Sequence, residues 1–178
     1  MIEIKDKHNC CGCAACVQKC ARQCISLLED SEGFLYPVID TEKCIDCGLC
    51  ETVCPELNQY DKQSPLTTLA AINIDECVRL ESSSGGVFSL LAEQTVKDGG
   101  VVFGARFDEK WEVVIDCSDT LEGIAQFRGS KYLQARTEDS FFRCEQFLKE
   151  GRRVLYSGTP CQVAGLKHFL GKEYRNLF

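Results

Sequence analysis

The chain has 178 residues, which is room for a small module and one further domain of about 100 residues. Its apolar content of 44% is ordinary for a globular protein, and its net charge of −7 disfavours nucleic acid as a partner. The first sixty residues carry most of that charge, with ten acidic against five basic side chains, and no stretch is long and apolar enough to form a membrane span.

Fourteen cysteines occur in the chain, and eight of them form two copies of one pattern. Each copy has the spacing Cys-x2-Cys-x2-Cys-x3-Cys, which places three thiolates around one iron–sulfur cube and leaves the fourth for the other cube. This crossing rule predicts one 4Fe-4S cluster on Cys10, Cys13, Cys16 and Cys54, and a second on Cys44, Cys47, Cys50 and Cys20. The pattern therefore predicts a protein that transfers single electrons.

Zinc and disulfide bonds are the alternative uses of these cysteines. Zinc sites usually pair two Cys-x2-Cys knuckles across a longer gap, because four tetrahedral ligands cannot come from one tight loop. A disulfide framework is typical of secreted chains, whereas the charged N-terminus here has no apolar core of a secretion signal. Thiolates must be reduced when metal is loaded, so we expect a cytoplasmic protein.

The predicted elements, taken in chain order, divide the sequence into two parts. Residues 1–58 are typical of a ferredoxin-like module, with a short strand at 34–39, and the polar residues 59–65 are typical of a linker. Residues 66–178 alternate between strands and helices, which indicates an α/β domain. Strands are predicted at 66–74, 101–107, 111–117 and 153–156, and helices at 87–97, 137–149 and 159–170.

The predicted fold class is therefore α+β, with a two-cluster ferredoxin-like module followed by an incomplete α/β domain. Residues 176–178 are apolar enough to begin another strand, and an α/β sheet rarely ends at such a point. We therefore expect this chain to be a fragment of a longer one.

A segment that leads from a predicted strand into a helix carries the first candidate site outside the cysteine runs. Thr159 suits the N-cap, Pro160 the first helical position and Gln162 the capping box. Cys161 would lie in the first turn, where the helix dipole should lower the pKa of its thiol and an anion could bind. The alternative is a well-capped helix with a buried structural cysteine.

Two further segments are rich in glycine, hydroxyl and basic side chains. Residues 82–87 place serines and glycines ahead of a helix, where backbone amides can bind a phosphate. Residues 128–134 contain cationic and aromatic side chains that could hold a phosphate or stack on a ring. A plain helix start and a solvated connection are the respective alternatives. The remaining cysteines are predicted to be structural, and they are Cys11, Cys24, Cys77, Cys117 and Cys144.

Behind the cysteine runs, four motifs in this order resemble the coenzyme F-420 hydrogenase/dehydrogenase beta-subunit family. They are Ser83–Phe88, Gly99–Gly104, Arg128–Tyr132 and Gly158–Leu166, and the resemblance covers essentially the whole chain. It implies an iron–sulfur flavoprotein oxidoreductase that binds FAD and passes electrons between 4Fe-4S clusters and a hydride carrier. That carrier would be the deazaflavin F-420 or an unknown small molecule, and a redox partner protein or subunit would exchange electrons with the clusters.

The resemblance also implies roles for individual residues. Cys161 would be catalytic. The cofactor-binding residues would be Ser83, Ser84, Gly85 and Gly86 at the FAD diphosphate, Lys131 and Tyr132 along the flavin, and Thr159, Pro160 and Gln162 near its ring. The family's catalytic domain continues beyond the end of this chain. The alternative functions are a non-catalytic ferredoxin-type electron carrier without flavin, and a truncated product that has clusters but no activity.

Overall fold

The computed structural model describes residues 1–4, 6–60 and 64–178. The helices are α1 (Ala15–Lys19), α2 (Leu49–Thr52), α3 (Glu76–Leu80), α4 (Val87–Lys97), α5 (Leu121–Ala125), α6 (Ser140–Lys149) and α7 (Pro160–Leu170). The strands are β1 (Ile25–Glu29), β2 (Leu35–Ile39), β3 (Val101–Phe107), β4 (Val113–Ser118) and β5 (Val154–Tyr156). This mixture of helices and strands confirms the α+β prediction. The linker predicted at 59–65 lies partly outside the described residues.

The two cysteine runs fold into equivalent loops on either side of a hairpin. Each loop leads into a short helix that contains the third cysteine of its run, Cys16 in α1 and Cys50 in α2. The residues before these helices, Ala14 and Gly48, both have positive φ values, 59° and 73°. Between the loops, β1 and β2 pair antiparallel. Strand β2 corresponds to the strand predicted at 34–39. The two cysteine runs, which have the same spacing, thus also have similar backbone conformations.

The second part of the chain is built on a three-stranded mixed sheet. The strand order is β4-β3-β5, with β3 antiparallel to β4 and parallel to β5. Phe103 of β3, Phe141 of α6 and Leu166 of α7 are almost completely buried in one apolar core. Cys13 and Ala15 of the ferredoxin-like module belong to this same core. The two parts therefore share one hydrophobic core instead of meeting across a solvated gap.

The strand predicted at 66–74 is wrong, because this segment forms no β-ladder among the described residues. Its apolar side chains are exposed, with Leu66 and Ile74 almost fully open to solvent. Its contact with the rest of the chain includes a hydrogen bond of 2.6 Å from the Asn73 amide to the Gly85 carbonyl. At the other end, Leu177 forms the expected strand-like contact, a parallel bridge to Val154.

In the described ranges, no helix combines the length and the hydropathy that crossing a bilayer would require.

Candidate functional site

The eight cysteines of the two runs line two small cavities within the ferredoxin-like module. The first cavity is lined by Cys10, Cys13, Cys16 and Cys54. The second cavity is lined by Cys20, Cys44, Cys47 and Cys50. Each cavity thus receives three cysteines from one run and the fourth from the other, which is the crossed grouping that the spacing predicts.

The residues around these cavities fit a 4Fe-4S cluster in each. Apolar side chains complete both walls, including Ile4 and Leu27 in the first and Ile25 and Ile39 in the second. Burial raises the pKa of the Cys16 thiol to about 12, so a thiolate at this position requires the positive charge of bound iron. The thiols of each set line a cavity. Among the described residues, no three His, Cys, Asp or Glu side chains are placed to bind a single metal ion.

The two cavities differ in their access to solvent. The first lies against the second part of the chain, because the Cys13 thiol packs beside Gly165 of α7 and is buried. The second lies near the surface, where Cys47 and Ile45 are exposed. The second cavity therefore includes an exposed cysteine of the predicted ligand sets, whereas the exposed cysteine of the first cavity is Cys11, which lies outside those sets.

A third cavity, of about 700 Å³, lies between the ferredoxin-like module and the sheet. The start of α4, the loop after α5 and the start of α7 wall this cavity, so it brings together the three segments singled out in the sequence. The predicted site residues that line it are Ser83, Ser84, Gly85, Gly86, Lys131, Thr159, Cys161 and Gln162. Tyr132 is not among the lining residues and its side chain is 93% exposed, and Pro160 is not among them either. Cofactor sites commonly have volumes of this order.

The backbone at the start of α4 has a conformation and contacts that only glycine allows. A Cβ atom on Gly85 would lie 2.7 Å from the Ala71 carbonyl oxygen, and Gly86 has a φ of 72°, so both positions require glycine. The Ser83 hydroxyl accepts a hydrogen bond of 2.6 Å from the Ser130 amide, which ties this turn to the loop after α5. The backbone amides at the start of α4 therefore lie at the cavity wall, where an anion could bind.

The two basic side chains of the cavity differ in their hydrogen-bond partners. The Arg128 guanidinium donates to the Glu81 carboxylate at 2.6 Å and to the Ser89 hydroxyl at 3.1 Å. The Lys131 ammonium instead donates to the backbone carbonyls of Arg128 and Gln126, at 2.7 and 3.0 Å. Burial lowers the pKa of Lys131. Of the two, Lys131 is the cation that a bound anion could recruit without breaking an ion pair.

The start of α7 has the predicted cap, but Cys161 does not have the predicted pKa. Gln162 Oε1 accepts a hydrogen bond of 2.9 Å from the Thr159 amide, and Pro160 is the first helical residue, which confirms the capping box. The predicted lowering of the Cys161 pKa is wrong. Its pKa is raised, because its thiol hydrogen-bonds to the Cys11 sulfur and is partly desolvated. These two effects outweigh the helix dipole, so Cys161 holds its proton at neutral pH.

Cys11 and Gly12 line the candidate site, and the sequence prediction did not include them among its site residues. Both line the first cluster cavity and the large cavity, so they form the wall between the two. The neighbouring Cys13 thiol and burial raise the pKa of the Cys11 thiol to about 11. The side chain of Cys11 is exposed, and the structural role predicted for it stays a prediction. Its position next to Cys10 was the available signal.

The N-terminal module is similar to known iron–sulfur proteins. Two family models, each described as a 4Fe-4S dicluster domain, match residues 9–57 and 36–82, and the first match contains all eight cysteines of the runs. A ferredoxin of Mycolicibacterium smegmatis is 33% identical over 87 residues, which cover 47% of this chain and 71% of that ferredoxin. Through this module, the chain belongs to the dicluster ferredoxins. It is therefore an iron–sulfur protein with an electron-transfer module.

Two other relatives show how far the similarity extends. A ferredoxin of Streptomyces griseus is 35% identical over 65 residues, which cover 36% of this chain and 50% of that protein. An uncharacterized protein of Methanocaldococcus jannaschii is 22% identical over 201 residues, which cover 96% of this chain and 55% of that protein. The chain thus spans about half the length of the archaeal relative, and its similarity to that relative includes the part built on the β4-β3-β5 sheet.

Proposed function

We propose that this chain is the electron-transfer part of an iron–sulfur flavoprotein oxidoreductase, with FAD in the cavity of about 700 Å³. The observation that carries the proposal is the wall that this cavity shares with the first cluster cavity, formed by Cys11 and Gly12. A flavin, when bound, supplies the exchange between single electrons and a hydride, here with F-420 or an unknown small molecule. The shared wall would bring such a cofactor next to the ligand loop of a cluster.

The diphosphate of FAD would bind at the start of α4. Helix α4 has eleven residues, and its first amides and its dipole favour a negative charge at the cavity wall. Lys131 would exchange its two carbonyl partners for a phosphate oxygen, which would also restore its full positive charge. Because Arg128 is already paired with Glu81, it would hold the loop in place instead of the ligand.

The start of α7 would face the flavin ring. Thr159, Cys161 and Gln162 line the cavity from this side. Because the pKa of Cys161 is raised, its thiol would act on the ring as a donor of a hydrogen bond or a proton, and not as a thiolate nucleophile. This is the catalytic role that we propose for Cys161.

The redox partner would dock at the second cluster cavity. Ile45 gives this surface an apolar centre, and Asp46 beside it is paired with the N-terminal ammonium. The first sixty residues carry ten acidic against five basic side chains, which favours a partner whose docking face is basic. A cluster held by Cys20, Cys44, Cys47 and Cys50 would supply single-electron exchange with the partner, and one held by Cys10, Cys13, Cys16 and Cys54 would lie beside the large cavity.

The test is to purify the protein anaerobically, to measure iron, acid-labile sulfide and bound flavin, and to titrate it with FAD. We expect about eight irons per chain and about one bound FAD. Lys131→Ala should weaken FAD binding about tenfold, a loss of about 1.4 kcal/mol. The control variant is Lys110→Ala, because Lys110 is an exposed lysine in the turn between β3 and β4 and should leave FAD binding unchanged.

Full iron content without FAD binding at any concentration would contradict the proposal. It would favour the alternative, a ferredoxin-type electron carrier in which the sheet and its helices serve as a docking platform.

A further inference from the structure

We infer that Asn73 is a positioning residue for the diphosphate site, because its hydrogen bonds to Gly85 and Gly86 turn the first amides of α4 towards the large cavity. The inference rests on the proposed function for the identity of the bound group, the diphosphate of FAD. Asn73 is not among the residues that line the cavity, so it would act through the backbone of the turn and not on the ligand itself.

The burial of Asn73 is the reverse of what its segment would favour by composition. Asn73 is 6% exposed, whereas its apolar neighbours Ile72 and Ile74 are 67% and 95% exposed. Burying a side-chain amide is costly unless its polar atoms are hydrogen-bonded. The hydrogen bonds of Asn73 therefore offset the cost of its burial and hold this part of the segment against the start of α4.

Both the backbone and the side chain of Asn73 are fully paired. The backbone amide donates to the Gly85 carbonyl at 2.6 Å, and the side-chain Nδ2 donates to the Gly86 carbonyl at 3.3 Å. The side-chain Oδ1 accepts from the Asp75 amide at 3.0 Å, and the backbone carbonyl accepts from the Arg79 guanidinium at 2.8 Å. Because Oδ1 is used by the Asp75 amide, the NH₂ group is the part of the side chain that faces Gly86.

These bonds fix the direction of two amides in the turn. In a planar trans peptide unit, the C=O and the N–H point in opposite directions. The Gly85 carbonyl shares a peptide unit with the Gly86 amide, and the Gly86 carbonyl shares one with the Val87 amide. Because both carbonyls bond to Asn73, both amides point away from it. Gly86 and Val87 line the large cavity and Asn73 does not, so the amides point to the side of the cavity.

The same amides have no cap from their own helix. The N-cap residue of α4 is Gly86, and no side chain accepts a hydrogen bond from the first turn at this position. Among the described residues, neither the Gly86 amide nor the Val87 amide donates to a backbone carbonyl. Helix α7, in contrast, begins with the capping box of Thr159 and Gln162. The first amides of α4 are therefore available to the oxygens of a phosphate group.

The test follows the Gly86 amide by nuclear magnetic resonance in the cluster-loaded protein, with inorganic pyrophosphate and FAD as the probes. Gly86 and Gly100 are the glycines that directly follow another glycine. Glycine labelled with ¹³C at the carbonyl and ¹⁵N at the amide, supplied together with unlabelled serine, therefore gives carbonyl-to-amide correlations for these two residues. The Gly100 amide donates to the Thr95 carbonyl at 2.8 Å and serves as the internal reference. We expect each probe to shift the Gly86 signal and to leave the Gly100 signal in place.

Asn73→Ala should abolish the shift of the Gly86 signal and raise the Kd of pyrophosphate and of FAD about tenfold. Asn73→Ser is the second variant in case the alanine protein does not fold, because its hydroxyl can still accept from the Asp75 amide. It is too short to reach the Gly86 carbonyl as well and should show the same losses. Thr95→Val is the matched control, since Thr95 is also 6% exposed and hydrogen-bonds within α4 but does not line the cavity. It should keep the shift and both affinities.

The outcomes separate this inference from the proposed function. An unchanged Gly86 shift in the Asn73 variants, or an equal loss in Thr95→Val, would overturn the inference even if FAD binds. FAD binding to the wild type without a Gly86 shift would overturn it as well. A Gly86 shift with pyrophosphate in a protein that does not bind FAD would contradict the proposed function alone. If neither probe binds to the wild type, both the inference and the proposed function are overturned.

Discussion

At Gly165, helix α7 packs against the loop of the first cluster. A Cβ atom added there would lie 3.1 Å from the sulfur and 3.3 Å from the Cβ of Cys13. Alanine is favoured over glycine inside a helix by roughly 1 kcal/mol, so the helix backbone alone would gain from the change. A thiolate bound to iron cannot move aside as a free thiol can. In the cluster-loaded protein, the added methyl group should therefore destabilise the cluster site.

Gly165→Ala should therefore weaken the first cluster and spare the second. We expect the iron that remains after treatment with a chelator to fall from about eight per chain towards about four. Lys167→Ala, an exposed change two residues further along α7, is the control and should keep the wild-type iron content. Equal iron retention in the two variants would show that Cys13 has room to move.

The start of α7 shows how one element can serve both stability and binding. Thr159 is the N-cap of this helix, and it also lines the large cavity. Thr120 is the N-cap of α5, where its hydroxyl accepts a hydrogen bond of 3.1 Å from the Gly123 amide, and it does not line that cavity. The two threonines thus have the same role in a helix but different surroundings.

Thr159→Ala and Thr120→Ala should each lower the free energy of unfolding by about 1 kcal/mol, because each removes an N-cap. If the large cavity binds FAD as proposed, Thr159→Ala alone should also weaken FAD binding. Urea unfolding curves and FAD titrations of both variants measure the two effects separately. Equal FAD affinity in the two variants would remove Thr159 from the binding site.

Long elements with clear end signals were predictable from the sequence. Helix α4 and strand β3 have the predicted bounds, because the amphipathic run of α4 ends at Gly99, whose φ of 74° is the usual left-handed end of a helix. The helices α1, α2, α3 and α5 were not predicted, because four or five residues are too few to show a periodic pattern. The segment 66–74 has the composition of a strand but no partner strand in the part of the chain that the structure describes, and pairing is a tertiary property.

For the candidate site, the sequence indicated which residues could bind a cluster or a phosphate, but not which of them lie close together in the fold. The cysteine spacing predicted the crossed grouping because a short loop limits where each thiol can lie. The three segments that could bind a phosphate or another anion were each recognisable from the sequence, since glycine and capping residues leave a local signal. That Cys11 and Cys161, 150 residues apart in sequence, line the same cavity depends on how α7 packs against the cluster loop, and no local pattern records this.

At the scale of the whole molecule, buried polar contacts add to the shared apolar core where the two parts meet. Gln18 of α1 is buried, and its Oε1 accepts a hydrogen bond of 3.0 Å from the Phe141 amide at the start of α6. Thr137 donates from its hydroxyl to the Cys13 carbonyl at 3.2 Å, beside the same contact. These bonds satisfy backbone groups at a helix start and at a cluster loop in a single network.

Gln18→Ala should loosen the ferredoxin-like module from the rest of the chain. It leaves the Phe141 amide buried without a partner, which costs about 1–3 kcal/mol. In urea, we expect the cluster absorbance and the far-ultraviolet circular dichroism to change together in the wild type and at separate concentrations in the variant. Gln94→Ala is the control, because Gln94 is exposed and bonds to Asp98 on the protein surface. Coincident transitions in both variants would contradict the expectation.

Helix α7 contacts both ends of the proposed electron path. Cys161 lies at the cavity and Gly165 at the first cluster loop, four residues apart, which is about 6 Å of helix axis. If the large cavity binds FAD as proposed, the helix would act as a spacer of fixed length between the flavin and the first cluster. Electron tunnelling slows steeply as such a gap widens, so changes that tilt α7 would alter the transfer rate without touching any redox group.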